Sequence, residues 1–101
     1  MPEFTPEPDS LDAARRRARY RAWHRGTKEL DLILGRYADA RINSFDALKL
    51  ALFEAVMENE ENQLQQWFMG QTSIPATQEG EMLEQIRAFH LSVKDEADLS
   101  R

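Results

Sequence analysis

The residues best equipped for chemistry lie in the stretch WHRGTKELD, Trp23 to Asp31. Arg25 offers a planar guanidinium for multidentate hydrogen bonding, and Gly26 permits positive φ or the close approach of another backbone. Glu29 follows Arg25 by four residues. If helical register carries across the glycine, the two form an i,i+4 pair that orients the guanidinium. The alternative is that Gly26 only ends a helix and the pair is a surface salt bridge worth ~0–1 kcal/mol. A second cluster, Glu58, Glu60 and Glu61, has the residue type for acid–base work, but on a polar segment between helices such a run reads as a solvated acidic patch. His24 and His90 are remote from each other and fall in no HExxH or CxxC pattern, so no metal site is expected. His90 instead reads as a shoulder of the last helix's core face. The glycines are isolated at positions 26, 35, 70 and 80, which leaves no phosphate-cradling loop. No cysteine is present, which removes thiolate nucleophiles, thiolate metal ligands and disulfides. This inventory is that of a non-enzyme.

A basic run precedes the glycine. Seven cationic residues lie between Arg15 and Lys28, interleaved with Tyr20 and Trp23, as on a helix that docks on phosphates or on an acidic protein. The alternative is a solvated helix face. The overall charge of -5 and pI near 5.0 argue against a dedicated nucleic-acid binder, and a basic first helix with acidic third and fourth helices suits a protein partner with matching patches. A small nucleic-acid or regulatory binding module using the basic helix is the rival reading.

These residues need helices to hold them. Ser10 is placed to cap a first helix whose Leu11, Ala14, Ala18 and Ala22 form a narrow small-residue stripe. Thr27 or Gly26 caps a second, with Leu30, Ile33, Leu34, Tyr37 and Ala38 on one face, and the two form a hairpin. Ser44 is expected to cap a third helix carrying Phe45, Leu48, Leu52, Ala55 and Val56 and ending near Met57. Leu64, Trp67 and Phe68 mark a short fourth helix, with Trp67 at the heart of its buried face and Gly70 ending it in the left-handed region. After the loop QTSIPA, Met82, Ile86, Phe89 and Val93 define a fifth helix. No alternating strand pattern and no repeat occurs. The expected fold is all-α, a compact five-helix bundle with short connectors.

The 101 residues allow a single domain with a modest core. Residues 1–9, acidic and proline-rich, read as a disordered N-terminal tail; residues 10–94 form the helical domain; residues 95–101 form a polar C-terminal tail. No apolar run approaches the ~20 residues of a membrane span, so no membrane insertion is expected, and nothing at the N-terminus resembles a secretory or transit signal. The expected location is cytoplasmic.

Two segments together resemble a known family. RGTKELD, Arg25 to Asp31, is similar to the RGxxE signature of the FAD assembly factor SdhE family, bacterial relatives of the mitochondrial succinate dehydrogenase assembly factor for flavinylation. AVMENEENQLQQWFMG, Ala55 to Gly70, resembles the family's segment of apolar residues, a glutamate and acidic positions followed by a Leu, a Trp and a Gly. The chain departs from that pattern at Asn62, where proline is common, and at Gln63, where aspartate is common. The resemblance runs from about Arg19 to His90 and implies a five-helix chaperone-like protein. The implied partner is the flavoprotein subunit of succinate dehydrogenase, with that of fumarate reductase as a second candidate. The implied role is to promote covalent attachment of FAD to a histidine of that subunit, with no cofactor bound tightly by this chain. The implied partner-binding residues are Arg25, Gly26 and Glu29, with Glu58, Glu61 and Trp67 as secondary positions.

Overall fold

Ser10 opens the first helix by accepting the Ala13 N–H on its Oγ at 3.1 Å, satisfying one of the donors that a helix start leaves free. In the computed structural model, which describes residues 10–99 and side chains as far as residue 94, this helix, α1, spans Leu11–Trp23. The expected tail at residues 1–9 lies outside the described residues. Ala18 and Ala22 are fully buried, and their small size lets α1 lie close on α2, Lys28–Arg41. Thr27 caps α2, and Leu30, Ile33, Leu34, Tyr37 and Ala38 face the core as their spacing predicts.

The hairpin is locked by a feature absent from the periodicity. The Trp23 indole lies flat against Gly35 of α2, where an added Cβ would sit 2.2 Å from Trp23 Cδ2. A glycine inside a helix costs ~1 kcal/mol relative to alanine, and here it makes room for the largest side chain on α1. Asp39, one turn further along α2, accepts the Trp23 Nε1–H at 3.1 Å and the Arg19 Nε–H at 2.7 Å on the same oxygen.

A 3-10 turn, Ile42–Ser44, buries Ile42 and leads through buried Phe45 to α3, Ala47–Met57. The cap of α3 is Asp46, whose carboxylate accepts the Lys49 N–H at 2.9 Å; Ser44, the expected cap, hydrogen-bonds back to the Arg41 carbonyl instead. The buried face also differs from the expected one. Leu50, Phe53, Val56 and Met57 enter the core, whereas Leu48 is 62% exposed and Leu52 and Ala55 are half-buried. This helix carries apolar residues on nearly every side, so its periodicity does not select a face.

The α3–α4 turn is tied to the last helix by Asn59, whose amide donates to the Val56 carbonyl at 3.0 Å and to Glu79 at 2.7 Å. α4, Glu61–Phe68, ends in a Schellman motif: the Gln71 N–H bonds the Gln66 carbonyl, the Gly70 N–H bonds the Trp67 carbonyl, and Gly70 takes φ +76°. Leu64 and Phe68 are buried, but Trp67 is only half-buried.

Thr77 caps α5, Gln78–Leu99, through the Gly80 N–H, and Gly80 has no side chain because the Pro75 carbonyl occupies the space. Met82, Leu83 and Ile86 are buried, and Phe89 and Val93 are half-buried. The helix continues through residues 95–99, part of the expected polar tail. Tyr37, Phe45, Phe53 and Phe89 join the helices through tilted and edge-on ring contacts at 5.7–6.1 Å. The described residues thus form an all-α bundle of five α-helices, with the α1–α2 corner at one end of its basic helix.

Candidate functional site

The corner between α1 and α2 is built from residues 24 to 27. The His24 N–H closes α1 on the Arg21 carbonyl at 3.1 Å. Gly26 then takes φ +108°, a conformation that side-chain-bearing residues rarely adopt, and Thr27 starts α2. Asp31 clamps the corner from within α2, accepting the Arg25 backbone N–H at 2.7 Å. Helical register therefore does not carry across the glycine, and the expected Arg25–Glu29 pair is not formed.

Each motif residue faces a different neighbour. Gly26 is exposed, and a Cβ on it would lie 3.3 Å from Glu61 Oε2 at the start of α4. Arg25 is half-buried, with its Nε buried and without a hydrogen-bond partner among the described residues. Glu29 points to α5, its Oε2 3.8 Å from His90 Nε2. Glu58, at the end of α3, takes a charge-assisted bond from Arg21 at 2.9 Å. The fold thus brings Glu61, remote in sequence, to the arginine–glycine corner, while Glu58 sits against Arg21 in the last turn of α1. Trp67 is not part of this cluster. It lies six residues beyond Glu61, ~9 Å along α4, and lines a separate polar cleft with Gly70, Thr72, Ser73 and Arg87.

The basic residues of α1 are largely engaged within the chain. Arg15 donates from Nε and Nη2 to the Phe45 carbonyl, Arg16 pairs with Asp12, Arg19 with Asp39, and Arg21 with Glu58. These contacts fasten α1 to α2, to the start of α3 and to the α3–α4 turn, and they favour a structural use of the run over a polyanion-binding one. Between them, Arg16, Arg19, Tyr20, Trp23 and His24 line an open groove of about 350 Å³ beside the corner. Tyr20 is 65% exposed there and stacks on His24 at 4.0 Å.

His24 Nδ1 lies 2.7 Å from the Tyr20 carbonyl. Burial depresses the His90 pKa, with Lys94 and Arg36 acting in the same direction and Glu29 opposing them. Among the described residues no group of three or more His, Cys, Asp or Glu side chains could hold a metal ion. No helix among them is long and apolar enough to cross a membrane.

Four contributors carry little or no signal in the sequence: Asp31, Arg21, Gly35 and His90. Asp31 carried a faint signal, as an acid in the first turn of a helix beside a glycine corner. The others have their roles only through packing.

Comparison with known proteins identifies the lineage. A family model described as flavinator of succinate dehydrogenase matches residues 16–90, from within α1 to His90. A protein named FAD assembly factor SdhE, from Acetobacter pasteurianus, is 33% identical over 78 residues, covering 77% of this chain and 72% of that protein. No solved structure matches the chain. The matched span contains the arginine–glycine corner, Glu58, Glu61 and all five helices, in whole or in large part, and the chain belongs to the family of flavinators of succinate dehydrogenase.

Proposed function

We propose that this protein binds the flavoprotein subunit of succinate dehydrogenase through the α1–α2 corner and promotes covalent attachment of FAD to that subunit. The observation that carries the reading is the corner itself. An exposed glycine at φ +108° presents bare backbone between a half-buried arginine and Glu61. An exposed glycine with no side chain, next to a half-buried arginine, suits the close approach of another chain. Arg25 would give multidentate hydrogen bonds to a carboxylate or carbonyl of the partner, and Gly26 would allow that backbone to approach.

The protein works in this reading as a binding partner, not as a catalyst. Flavin attachment draws on the electrophilic chemistry of the flavin, and a helper contributes by holding the acceptor region in a productive arrangement. FAD is then held by the flavoprotein and not tightly by this chain. The corresponding subunit of fumarate reductase is a second client to be tested in the same way. The decisive experiment is deletion of the gene, with complementation by wild type or by Arg25→Ala. Covalent flavin on the dehydrogenase subunit is read by fluorescence in a denaturing gel. Full flavinylation in the deletion strain would refute the reading.

A further inference from the structure

Glu29 is the motif residue whose side chain is taken up by the far end of the chain. Its carboxylate lies 3.8 Å from His90 Nε2 of α5, and the two side chains differ sharply in exposure, 12% for His90 and 51% for Glu29. That separation is too long for a hydrogen bond, so the attraction depends on whether the imidazole is charged. The carboxylate is backed from the core side by a group with two charge states and is open to solvent on the other side.

We propose that His90 is a positioning residue for Glu29: when neutral it leaves the carboxylate free for the partner, and when protonated it draws the carboxylate onto α5 and weakens docking. The inference rests on the reading of the corner as the docking site. The charged groups acting on the imidazole are Glu29 and Arg36 from α2 and Lys94 from its own helix. Arg36 and Lys94 oppose protonation along with burial, and only Glu29 favours it, so the neutral, docking-competent form dominates at neutral pH. Acidification then converts His90 into a competitor for the same carboxylate. Because Glu29 is half exposed, the pairing corresponds to about a two- to fivefold effect on affinity.

The test is the affinity of the purified flavoprotein subunit for wild type, His90→Gln, His90→Lys and Glu29→Gln between pH 5.5 and 7.5, with circular dichroism confirming that each variant is folded. The expected result is a loss of about two- to fivefold on acidification for wild type relative to His90→Gln, with His90→Lys weak at both ends. Superimposable profiles for wild type and His90→Gln would overturn the inference. Glu29→Gln separates the two levels of the argument. If it binds as wild type at pH 7.5, the corner reading fails at Glu29. If it binds weakly while the His90 profiles coincide, only the role of His90 fails. Titration of the imidazole by NMR in the isolated protein gives a readout independent of the partner. Glu29→Gln should lower the His90 midpoint, and an unchanged midpoint would show that the two side chains are not coupled.

Discussion

Gly26 and Glu61 face each other across the gap between the α1–α2 corner and the start of α4, so close that a Cβ on the glycine would lie 3.3 Å from Glu61 Oε2. The contact is with the far end of a flexible side chain, so space alone does not forbid a larger residue. The backbone at φ +108° does penalise one.

Gly26→Ala and Gly26→Arg should therefore share a stability loss of about 1 kcal/mol from the backbone and differ in function. Alanine displaces little and should retain much of the flavinylation. Arginine covers the corner and should abolish it. Melting temperature and covalent FAD per subunit, measured for both variants, decide the matter, and equal flavinylation of the two would reduce the glycine to a turn residue.

Trp67→Ala is expected to cost ~2 kcal/mol, less than the ~3–5 kcal/mol of a fully buried tryptophan, because the indole is half-buried. Urea unfolding followed by circular dichroism gives the number. A loss above 4 kcal/mol would place the ring in the core.

Gly35→Ala isolates the lock between α1 and α2. Alanine favours helix by ~1 kcal/mol, but the new methyl would collide with a rigid indole anchored to Asp39, and overpacking of that kind costs ~1–3 kcal/mol. The substitution should destabilise wild type and stabilise a Trp23→Ala background. A double-mutant cycle by thermal unfolding reads the sign change.

Stability should depend on pH through His90. Its folded-state pKa is depressed below the ordinary 6.5, chiefly by burial, so the unfolded chain binds the proton more readily. The associated stability is present above pH 6.5 and is lost as the pH falls from 6.5 towards the folded value. His90→Gln should flatten unfolding free energy over that window. An unchanged slope would assign the dependence to other groups.

Isothermal titration of the purified protein with FAD at micromolar concentration should give no saturable heat. The grooves on the described residues are open rather than enclosed, unlike pockets that bury most of a ligand's surface. A stoichiometric sub-micromolar isotherm would make the protein a flavin carrier.

What depends on near neighbours along the chain is legible in the residues alone. Ser10, Thr27 and Gly70 start or end helices through bonds spanning a few residues, and the α2 stripe from Leu30 to Ala38 has a clear polar opposite face. Arg25, Gly26 and Glu29 were legible for the same reason, being a local pattern similar to a known signature. The rest depends on how the helices pack. Which side of α3 is buried is not legible in a helix apolar on nearly all sides: the spacing points to Leu48, and packing buries Leu50. Glu29 lies beside His90 and not Arg25, because positive φ at Gly26 breaks the register and packing brings in α5. Glu58 meets Arg21 and Glu61 meets Gly26 only because the helices pack together, and Gly35 gains its purpose from an indole on another helix. A side chain's partner across the bundle is set by the directions and separations of packed helices, and these are collective properties that no short window of sequence carries.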